Sequence, residues 1–347
     1  MYRHIEPALK AWQLAWQRTR EHSVQRPNPF GLGPLSADSV PLLDLAYVRL
    51  FVNMSASKEM FWKRNFDDMA TELAGGKDTM QHAEHSPKSN TDSTEFSSGS
   101  TASSVFVDSP TTSNSPPDVQ SSSAFQTSPS NQPEGPTDRE RLLRKAAYYA
   151  TDFLVMSNKF GITFADFTSR ELPLQAAMCA FDCAQVVAEW ISLVQERLGR
   201  YIGILGHADI DFSSVPAIIY LEDEDVRLLE RIKEVVNITE AKMQHELANT
   251  IHNQMSAGQA NAVQMNASQI SPALDNCGFG SKILRLTAYQ LDRAGVWQGL
   301  HSSSLIQLSK ALTQVTVTRL MARALETQAI HMQTRAERSN KLKDNLL

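Results

Sequence analysis

Residues 146–206 read AAYYATDFLVMSNKFGITFADFTSRELPLQAAMCAFDCAQVVAEWISLVQERLGRYIGILG, and the second half of that stretch decides the fold. Val187, Ile191, Val194, Leu198 and Tyr201 recur at steps of three or four, so they share one side of a helix with Met178 and Phe181 above them. Neither proline nor glycine interrupts the pattern between Pro173 and Gly199, which predicts a rod of roughly 40 Å at 1.5 Å per residue. One face of it is expected to be buried. Asp166, Arg170, Glu171, Asp182, Glu189, Glu196 and Arg197 read as ordinary charged punctuation. The expected class is all-α: a multihelical domain interrupted by long disordered Ser/Thr/Pro-rich and Asn/Gln-rich segments.

Working outward toward the N-terminus, Arg139, Arg141, Arg144 and Lys145 form a basic cluster. It reads as the solvated face of a helix whose other side carries Leu142, Leu143 and Ala146, with phosphate contact or nuclear import as the alternatives. Before it, residues 77–138 are dominated by Ser, Thr, Pro, Asn and Gln. Such a segment buries too little apolar area to offset the entropy of ordering, and predicts a disordered linker. Ser86, Ser109, Ser115 and Ser128 each precede a proline within it and are candidate phosphorylation sites. Residues 1–76 predict a helical N-terminal part. Leu9, Trp12 and Trp16 are expected in packing, Leu42, Leu45, Ala46, Arg49 and Leu50 continue a second helix, and Phe61, Phe66, Met69 and Leu73 form a third that stops at Gly75 and Gly76.

On the other side, Gly203 and Gly206 end the apolar pattern. Glu222, Asp223, Glu224 and Asp225 then load the first turn of a helix with negative charge, and Leu228, Ile232 and Val235 supply its buried stripe. Residues 139–243 thus predict a central helical core. Residues 244–276 read as a flexible Asn/Gln/Ala/Ser-rich linker, and 277–340 as C-terminal helices carrying Ile283, Leu286, Thr287 and Leu291, then Leu320, Ala324, Leu325 and Met332. Arg335, Arg338, Lys341 and Lys343 suit a helix C-terminus, where cations oppose the dipole.

Signatures of chemistry are sparse. The chain of 347 residues carries three cysteines, Cys179, Cys183 and Cys277, too few and too scattered for the paired ligands of a structural zinc site; they read as small buried hydrophobes in a reducing compartment. His82 and His85 read as solvated loop residues. His207, Asp209 and Asp211 alternate in a surface loop with no second ligand cluster. No nucleophile elbow, phosphate loop, HExxH or dinucleotide fingerprint is present, so no catalytic residue, cofactor-binding residue or metal ligand is assigned and no enzyme is expected. A net charge of −5 gives no basic footprint for gripping DNA directly. No signal peptide is evident and no segment is read as a membrane span, so membrane association is not expected.

Six phrases carry a resemblance across most of the helical stretches. They are GPLSADSVPLLDLAYVRLF (33–51), FWKRNFDDMATELAGG (61–76), KFGITFADFTSRELPLQAAMCAFDCAQVVAEWI (159–191), ERLGRYIGILG (196–206), GSKILRLTAYQLDRAGVW (280–297) and MARALETQAIHM (321–332). In these the chain resembles the C-terminal regulatory region of fungal zinc-finger transcription factors, those with two-Cys two-His fingers followed by a fungal-specific transcription factor domain. The resemblance implies a nuclear regulatory module that modulates RNA polymerase II transcription through helix-mediated contacts with the transcription machinery, co-regulators or an effector. It implies DNA and zinc binding only through upstream fingers absent from this chain, and leaves a homodimer open. The alternative is a helical protein-interaction scaffold that does not bind DNA. Residues 298–316, containing GLHSSSLIQLSKALTQV, depart from the family wording as an insertion or a retained intron.

Overall fold

A computed structural model describes residues 2–18, 39–75, 136–159, 174–206, 221–256, 277–300 and 305–344. Nine helices and no strand are found among them: α1 (Tyr2–Arg18), α2 (Ser39–Phe51), α3 (Ser55–Trp62), α4 (Phe66–Gly75), α5 (Asp138–Lys159), α6 (Leu174–Ile202), α7 (Asp223–Ser256), α8 (Gly278–Leu300) and α9 (Leu305–Asp344). The all-α expectation holds. The starts of several helices are set by local polar chemistry. Thr137 caps α5 by accepting the Glu140 N–H on its hydroxyl at 3.2 Å, and Asn65 accepts the Asp68 N–H on its amide Oδ1 at 3.3 Å at the head of α4. At α7 the Glu222 N–H donates to Asp225 Oδ2 at 3.1 Å, one half of a capping box.

α6 is the axis of the molecule, with α2, α5, α8 and α9 packed around it. The expectation of one buried face was too modest. Val186, Val187, Ala188 and Trp190 are consecutive or nearly so in sequence, point in different directions, and are all fully buried. Ala177–Gly199 has the length and apolar content to cross a bilayer, which the sequence reading did not anticipate, but 89% of its most apolar window is covered by the surrounding helices. α8 and α9 form an antiparallel pair. Ser281 Oγ donates to Ala329 O at 2.9 Å toward one end and Arg319 meets Asp292 toward the other, with Ala288, Ala322 and Ala324 buried around the seam. α9 also lies along α6, and beyond residue 316 it places Met321, Ala322, Ala324, Leu325, Ala329 and Met332 in the core.

Four expectations are corrected. The third helix is two: the chain breaks between Trp62 and Phe66, where Arg64 takes a left-handed φ of 60°. The stripe of α2 is shifted in part: Leu50 is buried as expected and Leu45 packs against the core, but Leu43, Tyr47, Val48 and Phe51 are buried beside them while Leu42 is 47% exposed. Trp12 is also partly in solvent, 40% exposed and stacked on Trp16, while Ile5 and Leu9 make the contact with the core. Finally, α7 continues to Ser256, well into the stretch read as linker. Alanine, glutamine and glutamate there are competent helix formers, and helix started at Asp223 propagates more readily than it nucleates.

The end of α6 is stitched to the start of α8. Gly203 closes the helix with φ 77° and donates to Gly199 O, and Phe279 N–H donates to Leu205 O at 3.0 Å. Gly206 has φ 93°, and a Cβ there would sit 2.3 Å from Phe279 N. Gly206→Ala is therefore expected to cost about 2 kcal/mol in urea unfolding, from left-handed strain plus backbone displacement.

Candidate functional site

The charges on α6 are not surface punctuation. Asp182, Gln185, Glu189, Ser192 and Glu196 follow one another at steps of three or four, and all but Glu196 are buried. Each acid is met by cations from other helices. Asp182, 1% exposed, receives Arg49 from α2 and Lys58 from α3, the latter at 3.0 Å. Glu189 is fully buried between Arg139 of α5 at 3.1 Å and Arg335 of α9 at 2.8 Å, and Arg335 Nε continues to Glu196 at 2.7 Å. Burial pushes the Glu189 carboxyl up, while Arg335 and Arg139 pull it back. Arg335 thus serves as an interhelical tie and not as a cation at a helix end, and Arg139, which also donates to Leu73 O at 3.0 Å, belongs to the interior rather than to a solvated face.

A second group joins α5, α6 and α7. Arg197 makes a forked contact with Glu140, with Nη2 to Oε1 at 2.7 Å and Nε to both oxygens at 3.1 Å, and lies 3.8 Å from Asp225. Arg144 binds Asp225 at 3.1 Å, Glu224 at 3.0 Å and Glu222. The acidic run heading α7 therefore does more than complement a helix dipole: it clamps the basic start of α5. Arg141 stays at the surface beside Asp138, and Lys145 lies 5.9 Å over the Phe51 ring.

The third group is electrostatically unbalanced. Arg231 of α7 pairs with Asp152 of α5 and stacks over Tyr148, and the buried Asp44 of α2 shares the same field. Burial pushes Asp44 well above the usual carboxylate range, Asp152 adds to this, and Arg231 opposes it; Asp152 is raised by burial to about 6. Tyr148 is pushed up to about 12, again chiefly by burial. Asp44 Oδ2 and Thr151 Oγ1 have no hydrogen-bond partner among the described residues. An acid with a raised folded pKa stabilises the fold fully below its unfolded pKa, and that contribution is lost as pH rises through the folded value. The contribution of Asp44 and Asp152 to stability is thus expected to decline as pH rises from about 4 through 6 and beyond. Asp44→Asn should flatten that decline, as read from urea midpoints between pH 4 and 8. An unchanged slope would remove Asp44 from the account.

Nucleophiles are held inert. All three cysteines are free and buried; burial, followed by Asp182, pushes Cys179 to about 12, and Cys183 and Cys277 are likewise raised by burial. At neutral pH they are thiols, not thiolates. No three His, Cys, Asp or Glu side chains among the described residues are grouped to hold a metal ion. The candidate phosphorylation sites Ser86, Ser109, Ser115 and Ser128 lie outside the described residues, as do His82, His85, His207, Asp209 and Asp211. What the structure brings together is a set of interior ion pairs that fix how six helices meet. Asp44, Asp152 and Arg231 were missed because charge alone reads as exposure; the available signal was their phase, since each falls beside the buried stripe of its own helix. Apolar contact surface remains at Trp62 and Ile330, 60% and 59% exposed.

A family model described as the fungal transcription factor C-terminal domain matches residues 109–327, covering α5 to α8 and the first part of α9. No curated protein and no solved structure matches the chain.

Proposed function

Because the chain belongs to the fungal transcription factor C-terminal domain family, we propose that it is the regulatory region of a nuclear DNA-binding transcription factor, acting on RNA polymerase II transcription through helix-mediated contacts with a co-regulator or effector. The family match is the observation that carries this reading. A rigid helical body with ion-paired joints supports it, since such a body responds to a partner by shifting between a few discrete packings. DNA contact would come from zinc fingers outside this sequence, in keeping with the net charge of −5.

Fusion of residues 1–347 to a heterologous DNA-binding domain beside a reporter tests the proposal. Expression is expected to change by several fold in one direction; a reporter unmoved in either direction would refute it. In a gel shift at physiological salt the chain alone is expected to form no sequence-selective complex, and nanomolar selective binding would overturn the assignment of DNA contact to the fingers.

A further inference from the structure

The contacts between α2 and α5 fix their register. Lys145 lies over the Phe51 ring and Tyr149 stacks on Tyr47 with centroids 4.2 Å apart, so the two helices run antiparallel and Asp44 comes level with Asp152. Arg231 enters the same junction from α7, paired with Asp152 and lying over Tyr148. Asp44 is 5% exposed and Thr151 is fully buried. Asp44 Oδ2, Thr151 Oγ1 and Arg231 Nη1 are buried there without a hydrogen-bond partner among the described residues. Two carboxyls therefore share one guanidinium, and the other groups near Asp44 do not correct the imbalance. Tyr47 beside it and Tyr148 on α5 are neutral phenols, and Cys179 and Cys183 of α6 are neutral thiols. Asp182 of α6 is already held by Arg49 and Lys58, and Glu6 of α1, which acts on Tyr47, is paired with Lys10.

A neutral Asp44 fits these surroundings. Its proton turns one carboxyl oxygen into a donor and leaves Asp152 and Arg231 as a matched pair. Ionised, Asp44 sets a second buried anion on the same cation, a charge that calls for water. α7 is the element placed to yield. It packs mainly on α5 and α8, and charged joints run along it: Arg144 to Glu222, Glu224 and Asp225, Arg231 to Asp152, and Lys282 to Glu240. Its outer face, with Arg227, Glu230, Lys233 and Glu234, is exposed, whereas α2 sinks Tyr47, Val48 and Phe51 into the core. We propose that this junction is a proton-operated latch: a proton held by the Asp44 and Asp152 pair keeps α7 closed on α5, and its loss opens α7 locally to water while α6 stays packed. Both carboxyls are raised in the fold, Asp152 to about 6, so closure is favoured on the acid side and its advantage is lost as pH rises through the folded values. The latch stands apart from the transcriptional reading, since it concerns how α7 seats and is read with no promoter present.

Amide hydrogen exchange of the full chain is followed at pH 5 and pH 8 and expressed as protection factors, which removes the intrinsic pH dependence of exchange. At pH 8, residues 228–236 of α7 are expected to be protected at least about tenfold less than residues 186–194 of α6, the mark of an opening that leaves the centre folded. Between pH 5 and 8 the protection of α7 should fall by at least about tenfold, as the loss of one proton requires. Asp44→Asn, which cannot ionise, should hold the α7 value within about twofold over that range. Asp152→Asn, which leaves one acid to one cation, should also remove most of the fall, so the test survives if either variant does not fold. Three results would each overturn the proposal: equal protection of α7 and α6 at pH 8, α7 protection that does not fall with pH in the wild type, or a wild-type fall retained in the folded variants.

Discussion

Glu189→Ala is expected to lower the unfolding free energy by about 3 kcal/mol, the cost of taking from two largely buried cations the carboxylate they share. Arg139 and Arg335 both converge on this fully buried carboxylate, so one truncation disturbs the seams of α6 with α5 and with α9 together. Urea unfolding followed by circular dichroism at 222 nm is the measurement, because nearly all described structure is helical. The control removes the three interior charges at once and leaves the exposed Glu196: Glu189→Leu with Arg139→Met and Arg335→Met should recover most of the loss, since an apolar replacement of a buried ion triad is often neutral or better. A single substitution that leaves the midpoint within the error of wild type would mean that the pairs are not interior ties.

The neighbouring Trp190 should give an effect of similar size from a different cause. It is fully buried in the centre of α6, and its indole Nε1 has no partner among the described residues. Trp190→Ala is expected to cost about 3–5 kcal/mol through lost burial and a residual cavity. Trp190→Phe should cost much less, because it keeps most of the apolar contact and deletes an N–H that gains no hydrogen bond. Equal losses from the two substitutions would argue that the indole nitrogen is bonded after all.

The sequence made the helices legible where a single physical signal dominated. α6 was readable because an apolar period ran uninterrupted to Gly199, and the start of α7 because four acids precede a clean stripe at Leu228, Ile232 and Val235. It misled where two signals compete. In α2 nearly every position is apolar, so the phase that buries Tyr47 and exposes Leu42 is chosen by partners far along the chain. The interior charges were hidden for a related reason: whether Asp182 or Glu189 faces water depends on cations at Arg49, Lys58, Arg139 and Arg335, which local pattern cannot bring to it. A stripe of polar residues at helical spacing within an otherwise greasy segment, from Asp182 through Gln185 to Glu189 and Ser192, was nevertheless present to be read.

The concealed thiols make the molecule convenient to probe. A cysteine introduced at an outward position such as Ile330 or Trp62 would be the fast target for a maleimide dye in the native state, with Cys179, Cys183 and Cys277 left in place. The same native thiols, challenged slowly with reagent, would then clock how often the centre of the bundle breathes, from a protein that carries its own timers.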